Sequence, residues 1–126
     1  MTASEIRSYA ARARSTDTFG RVLCNVRNHH FIVDGPEYNG APGEEVTPAE
    51  LFLTGIAACG VELVQSFARA DSIPLRAIGV DISGLLDRAN PVRKDLSVMN
   101  SVQIKFHMTG ITAAQGAALI DRFKGR

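Results

Sequence analysis

One stretch of sequence, from Thr47 to Ala70, constrains the fold of this chain more than any other. Thr47 is a favoured N-cap residue, Pro48 suits the first helical position, and Glu50 completes a capping box three residues after the cap. Apolar residues then recur at steps of three and four, at Phe52, Ile56, Cys59, Leu63 and Phe67. This spacing is typical of a helix, and it predicts one long helix over 47–70 with Cys59 near its centre.

The predicted helix is apolar on more than one side. A second apolar stripe covers much of its remaining surface and consists of Leu53, Ala57, Val61, Val64 and Ala68. A helix that is apolar nearly all round is expected to be buried on several sides. Gly55, Ala58 and Gly60 are small enough for another backbone to come close. We therefore expect Cys59 to lie at depth, in a crowded apolar setting.

Composition limits the classes of protein to which this chain can belong. Its 126 residues favour one domain, and 45% hydrophobic with 21% charged residues indicates a globular chain with a core. A net charge of +1 gives no reason to expect nucleic acid or an anionic membrane as a partner. The longest near-continuous apolar run, Leu51 to Val61, is too short to span a bilayer, and the N-terminus lacks the apolar core of a secretory signal. We expect a cytoplasmic protein with reduced thiols.

The rest of the chain alternates between helical and strand patterns. The predicted elements are a helix over 3–15, a hairpin over 19–34, a loop over 35–46, a second hairpin over 76–109 and a closing helix over 112–124. The first hairpin has its turn signal at Asn28-His29, and the closing helix has a cap formed by Thr112 and Gln115. This order predicts a single α+β domain over 1–126, with antiparallel strands covered by helices.

The sequence of the long helix resembles the signature of the OsmC/Ohr family, whose members are thiol-dependent organic hydroperoxide reductases. The matching segments are TPAELFL at 47–53 and AAC at 57–59, preceded by the run HFIVDGP at 30–36. The resemblance extends over most of the chain from about residue 19. It implies an OsmC-like α+β fold in an intertwined homodimer, with antiparallel β-sheets, the two long helices packed at the centre, and active sites formed between subunits.

The resemblance also implies a chemistry for Cys59. Its thiolate would attack the O–O bond of a hydroperoxide to give an alcohol and a sulfenic acid. A second cysteine would then form a disulfide that an external dithiol reduces. Because an apolar site raises the pKa of a cysteine, the thiolate needs a nearby cation, usually an arginine. Arg21 is the first choice for this cation and Arg27 the second. No cofactor is implied, and apolar surroundings favour organic, lipid-type hydroperoxides in oxidative stress defence.

The sequence departs from the family pattern at two places. The resolving cysteine of the family lies at or soon after the end of the closing helix, where this sequence stops at Gly125-Arg126. Peroxidase members carry an acidic residue ten positions before the reactive cysteine, which helps to hold the arginine, and this position is Ala49 here. Two other functions therefore stay open: a non-catalytic OsmC-like dimer that binds a small apolar ligand, and a structural dimerisation domain without a ligand.

The cysteines and histidines also have plainer interpretations. A lone cysteine on an apolar helix face is usually a core residue, which is the alternative for Cys59. Cys24 shares a strand face with Val22 and Val26, so we expect a core role for it. Zinc would need ligands at spacings such as C-x2-C or H-x3-H, which are not formed by Cys24, His29, His30, Cys59 and His107. The sequence predicts no metal site.

Overall fold

The computed structural model describes residues 5–125, which divide between two compact units, an N-terminal unit of residues 1–51 and a C-terminal unit of residues 52–126. The strands are β1 (Arg12–Ser15), β2 (Arg21–Val26), β3 (His29–Asp34), β4 (Ala77–Leu85) and β5 (Ser101–Thr109). The helices are a short 3-10 helix (Glu37–Asn39), α1 (Pro48–Ala70) and α2 (Ala113–Lys124). The predicted α+β class, with antiparallel sheets and one long helix, is confirmed. The single domain over 1–126 stays a prediction.

The N-terminal unit is built on a three-stranded antiparallel sheet in the order β1-β2-β3. Strands β2 and β3 form the predicted hairpin, and their turn consists of Arg27 and Asn28, because Val26 pairs with His29. Arg27 has a φ of 54°, a left-handed conformation of the kind that two-residue hairpin turns use. The turn thus lies one residue earlier than the predicted Asn28-His29 turn. Such a shift changes every partner across the hairpin.

The predicted helix over 3–15 is wrong. Residues 5–11 contain no helix, residues 12–15 form β1, and the beginning of the predicted helix lies outside the described residues. Ala13 and Arg14 pair with Cys24 and Leu23 of β2, so that β1 forms one edge of the sheet. Helix propensity is a weak preference that tertiary pairing overrides, and a helix this short is marginal without packing.

The loop after β3 folds back on the ends of β2 and β3. Gly20 has a φ of +80°, and a Cβ atom at this position would collide with the side chain of Ala41, so that glycine is required for the close approach. Backbone hydrogen bonds run from the Gly35 N–H to the Gly20 carbonyl (2.8 Å) and from the Asp34 N–H to the Val46 carbonyl (3.0 Å). These contacts bring the loop back to the end of β3.

Helix α1 begins as its sequence predicts. The Thr47 N–H donates to Glu50 Oε1 (2.9 Å), and the Glu50 N–H donates to Thr47 Oγ1 (3.4 Å), which completes a reciprocal capping box. Pro48 is the first helical residue. By length and composition alone, α1 is also long and apolar enough to cross a membrane. The core helix of a globular protein meets the same criteria, and Val64 and Phe67 of α1 are core residues.

In the C-terminal unit, α1 and α2 pack with the β4–β5 hairpin around one apolar core. The buried core residues are Val64, Phe67, Ala68 and Leu119. Phe106 and Met108 of β5 pack against this core from the hairpin. Helix α2 begins with the predicted reciprocal cap between Thr112 and Gln115. The second hairpin and the closing helix are therefore confirmed.

The burial of α1 differs from the prediction. Among the described residues of this helix, the buried ones are Gly60, Val64, Phe67 and Ala68. The opposite face carries exposed residues that include Phe52, which is 62% exposed, and Cys59. The prediction that α1 is covered on several sides, with Cys59 at depth, is wrong for a single chain. A two-stranded hairpin and one further helix leave one side of a helix this long uncovered.

Candidate active site

Cys59 lies on the exposed face of α1, and the residue after it explains why. Gly60 is buried, and a Cβ atom at this position would lie 3.4 Å from the ring of Phe106 and 3.6 Å from that of Phe123. The two rings pack edge to face with 5.5 Å between their centroids. Successive helical residues are rotated by about 100°. The orientation that directs Gly60 towards the rings therefore leaves the Cys59 side chain exposed.

The exposed face around Cys59 changes from apolar to polar along the helix. Towards the N-terminus it carries Phe52 and Gly55, and towards the C-terminus it carries Glu62 and Ser66. The Ser66 hydroxyl donates to the Glu62 carbonyl at 3.0 Å and also lies 3.4 Å from the Glu62 carboxylate. The thiol of Cys59 therefore lies at the boundary between an apolar and a polar surface.

Cys24 lies in the middle of β2 and is half-buried. Its partners across the sheet are Ala13 of β1 and Phe31 of β3. Both neighbours are apolar, but Cys24 is not among the buried core residues, so its core role stays a prediction. Cys24 belongs to the N-terminal unit and Cys59 to the C-terminal unit, and both thiols are free.

The guanidinium of Arg21 is held by two carboxylates. Arg21 and Asp34 lie opposite each other across the β2–β3 hairpin, and Arg21 Nε and Nη2 each donate to one Asp34 carboxylate oxygen at 2.8 Å. Nη2 also donates to Glu44 Oε1 at 3.0 Å. The backbone N–H groups of Glu44 and Glu45 donate to Asp34 Oδ2 at 3.1 and 3.0 Å. A bidentate pair of this kind fixes the plane of the guanidinium.

Both partners of this pair keep their charge. The Asp34 side chain is fully buried, but its hydrogen bonds from Arg21, and then those from the backbone, outweigh burial and hold the pKa of Asp34 well below its usual range. The hydrogen bonds to Asp34 and Glu44 raise the pKa of Arg21 above its ordinary value. Among the described residues, Arg21 Nη1 makes no hydrogen bond, and the side chain is 29% exposed. Arg21 is therefore an oriented, partly exposed cation.

Arg21 has acidic partners in the structure, although Ala49 occupies the position where the family pattern has an acidic residue. At the position where the family pattern has an acidic residue, Ala49 has no carboxylate, whereas Asp34 and Glu44 hold Arg21. Sequence reasoning missed both partners. It placed the hairpin turn one residue too late, and the register that pairs Arg21 with Asp34 follows only from the correct turn.

Arg27, the second candidate cation, occupies the turn at the other end of β2 and is exposed. It lies six positions after Arg21 in the sequence, which corresponds to about 20 Å along an extended strand. In residues 5–125, Arg27 forms no ion pair. The two candidate arginines therefore lie too far apart to serve one thiol, and Arg21 is the one held in a fixed orientation.

A metal centre is not found in the part of the chain that the structure describes, where no group of three or more His, Cys, Asp or Glu side chains could hold an ion. His29 and His30 are adjacent in β3, so their side chains point to opposite faces of the sheet. His107 Nε2 lies 2.8 Å from Asp81 Oδ2 on the exposed polar face of the β4–β5 hairpin. The candidate chemistry therefore rests on the thiols and on the Arg21 cluster.

No protein-family profile matches the sequence, and no curated protein matches it either. Solved structures do match. An OsmC-like protein from Mycoplasma pneumoniae superposes with a TM-score of 0.78 at 16% identity, and the match covers 95% of this chain and 82% of that chain. This chain has the OsmC-like fold. The fold that the segments 47–53 and 57–59 led us to expect is thereby confirmed.

Two further solved structures that match this chain are named for organic hydroperoxide resistance. The protein from Legionella pneumophila has a TM-score of 0.74 at 20% identity, covering 97% of this chain and 85% of its own. The protein from Elizabethkingia anophelis has a TM-score of 0.76 at 16% identity, covering 98% of this chain and 85% of its own. At these identities the likeness establishes the fold, and the activity has to be argued from the residues of the site.

Proposed function

We propose that this protein is a thiol-dependent peroxidase of the OsmC/Ohr type, which reduces organic hydroperoxides through Cys59. The observation that carries the proposal is an exposed thiol on the long helix of an OsmC-like fold, beside the segments that resemble the family signature. The two similar structures from Legionella pneumophila and Elizabethkingia anophelis are named organic hydroperoxide resistance proteins. These names support the reaction class, and oxidative stress defence is the role that goes with it.

The proposed reaction begins at the sulfur of Cys59. Its thiolate attacks the terminal oxygen of a hydroperoxide, so that an S–O bond forms, the O–O bond breaks, and the leaving alkoxide takes up a proton to become an alcohol. The sulfur is thereby oxidised by two electrons to a sulfenic acid. An external dithiol then forms a mixed disulfide with Cys59 and releases water. Its second thiol displaces the Cys59 thiolate, so that the two electrons come from the dithiol.

We assign stabilisation of the thiolate to Arg21 in preference to Arg27. The thiolate is the reactive form of a cysteine, and a neighbouring cation lowers its pKa. Asp34 and Glu44 support the assignment, because they keep the Arg21 guanidinium charged and oriented while its Nη1 atom has no partner among the described residues. Arg27, at an exposed turn, has no comparable support.

We also propose a homodimer in which α1 packs against a second copy of the chain. In the C-terminal unit, Phe52 is 62% exposed, Val102 41% and Ile104 36%. Apart from its chain neighbours and the nearby backbone of α1, no atom lies within 4 Å of a Cβ atom placed at Gly55, which leaves room for another backbone. Large apolar side chains left on a surface in this way are typical of an interaction site, and two copies can cover them by symmetric contacts. A cytoplasmic location, where thiols stay reduced, belongs to the same proposal.

Consumption of cumene hydroperoxide in the presence of dithiothreitol, followed by stopped flow, tests the peroxidase proposal. We expect turnover by the unmodified protein, its loss in Cys59→Ser, and near-normal turnover in the matched control Cys24→Ser. Turnover by Cys59→Ser, or none by the unmodified protein, would contradict the assignment. In the latter case, an apolar molecule that co-purifies with the protein would support the alternative of a non-catalytic OsmC-like binding protein.

A further inference from the structure

A cavity of about 250 Å³ lies in the N-terminal unit, beside the turn between β2 and β3. Ala10 and Ala11, which precede β1, contribute the apolar part of its lining. Its polar groups come from Arg12 of β1, Asn25 of β2 and Arg27 of the turn. All five residues belong to one compact unit. The peroxidase reaction proposed above uses none of them.

The cavity is cationic. Its lining contains the guanidinium groups of Arg12 and Arg27 and, among the described residues, no carboxylate. In the part of the chain that the structure describes, neither of these side chains makes a hydrogen bond or an ion pair. A guanidinium group binds phosphate through two parallel N–H···O hydrogen bonds. Two such unpaired groups on one cavity therefore suit an anion with several oxygen atoms.

Asn25 adds a hydrogen-bond acceptor that has no partner within residues 5–125. In the antiparallel register it lies between Arg12 of β1 and His30 of β3, and residues directly opposite each other share one face of a sheet. The Oδ1 atom of Asn25 is nevertheless buried without a hydrogen bond. An unpaired buried acceptor is unfavourable, and native proteins contain few of them. A ligand that donates a hydrogen bond would account for this atom.

We propose that this cavity binds a small phosphate monoester that carries a hydroxyl group near its phosphate. Arg12 and Arg27 bind the phosphate oxygens, and the hydroxyl donates a hydrogen bond to Asn25 Oδ1. The side chains on either side of Asn25 are both exposed, so their rotation gives the ligand access to Oδ1 without a change in the sheet. The cavity is smaller than the sites of drug-sized ligands, which occupy about 300–1,000 Å³, and this size suits a compact ester.

A purely structural role for these residues makes different predictions. Strand β1 is at the edge of the three-stranded sheet, and charged side chains on an edge strand discourage pairing with another chain. With this role alone, loss of Arg12 would leave the affinity for phosphate esters unchanged. Asn25 would then matter for the stability of the sheet and not for the choice of ligand. Ligand affinity therefore separates the two roles.

An NMR titration of the isotope-labelled protein with glycerol 3-phosphate and with propyl phosphate, at constant ionic strength, tests the cavity directly. Both esters carry the same phosphate group, but propyl phosphate has no hydroxyl group. We expect amide shift changes centred on residues 10–12 and 25–27. Glycerol 3-phosphate should bind about fivefold more tightly than propyl phosphate, through one additional neutral hydrogen bond. Inorganic phosphate should bind no more tightly than propyl phosphate.

Substitutions distinguish the contacts to the phosphate from the contact to the hydroxyl. Arg12→Gln and Arg27→Gln should each bind both esters about tenfold more weakly, through the loss of a charge-assisted hydrogen bond. Asn25→Leu has a side chain of similar size and should bind propyl phosphate normally, but without the preference for glycerol 3-phosphate. Arg14→Gln is the matched control. It removes the same charge from the same face of β1, outside the cavity, and should bind both esters like the unmodified protein.

Several results would overturn the inference. If no ester binds, or if Arg14→Gln weakens binding as much as Arg12→Gln does, the cavity is not a phosphate site. If glycerol 3-phosphate binds no more tightly than propyl phosphate or inorganic phosphate, the hydroxyl contact is wrong. Asn25→Leu removes an unpaired buried acceptor, so the urea midpoint of the ligand-free protein should not fall; a clear fall would contradict the assignment of Asn25 as a ligand. No hydroperoxide is used, so these results are independent of the peroxidase proposal.

Discussion

Replacement of Gly55 by leucine should weaken dimerisation without destabilising the chain itself. Gly55 lies on the exposed face of α1 between Phe52 and Cys59, and a Cβ atom placed there has no atom within 4 Å apart from its chain neighbours and the nearby backbone of α1. Within one chain, the Cβ atom of this leucine therefore makes no contact outside α1. Leucine is also a much better helix former than glycine, which stabilises the helix by up to about 0.8 kcal/mol.

In the proposed dimer, the same leucine meets the second copy of the chain. Additional side-chain atoms in a packed interior cost about 1–3 kcal/mol, and the two-fold symmetry of a homodimer applies this cost twice. A total of roughly 2–6 kcal/mol corresponds to a rise in the dimer Kd of about 30-fold to more than 10,000-fold.

Sedimentation equilibrium measures this Kd. Gly79→Leu is the matched control, because a Cβ atom at Gly79 also has no atom within 4 Å apart from its chain neighbours. Gly79 pairs with His107, on the polar face of the β4–β5 hairpin. We expect Gly79→Leu to dimerise like the unmodified protein and Gly55→Leu to shift towards monomer. An unchanged Kd in Gly55→Leu would refute the packing of α1 against a second copy.

Three further changes test other contacts. Leu119→Ala removes a core side chain that is 1% exposed and should lower the free energy of unfolding in urea by about 2–5 kcal/mol, whereas a loss below about 1 kcal/mol would contradict the described core. Because Arg21 holds the pKa of Asp34 below its usual range, this pair contributes stability that is present above the unfolded-state pKa of about 3.9 and is lost as the pH falls below it. The urea midpoint should therefore fall less between neutral pH and about pH 3 in Asp34→Asn than in the unmodified protein, and an equal fall would exclude this pair as a source of acid sensitivity. Arg21→Gln should raise the pH midpoint for alkylation of Cys59 by iodoacetamide, and Arg27→Gln should not; equal midpoints in the two variants would remove Arg21 from the site.

Local signals in the sequence were sufficient to predict both helices. Thr47 with Glu50, and Thr112 with Gln115, satisfy backbone N–H groups within a few residues of one another. Such caps can be recognised without knowledge of any distant contact. Residues 12–15 are the contrast, because their strand conformation depends on pairing with β2. Local propensity does not encode that pairing.

The candidate site depended on contacts that a local pattern does not contain. With the predicted turn, Arg21 would face Pro36; the actual turn, one residue earlier, places it opposite Asp34. Glu44 reaches Arg21 from the loop after β3, a contact between residues more than twenty positions apart. The exposure of Cys59 was missed for a related reason. Helical periodicity predicts which faces are apolar, but not how many of them one chain can cover.

A single-turnover experiment tests most directly whether Cys59 is the thiol that a hydroperoxide oxidises. The reduced protein is mixed with one equivalent of cumene hydroperoxide in the absence of a reductant, the sulfenic acid is trapped with dimedone, and the labelled peptide is identified by mass spectrometry. We predict the loss of one of the two thiols, with the label on Cys59 and an unmodified Cys24. A label on Cys24, or two intact thiols after the addition of peroxide, would contradict the central claim.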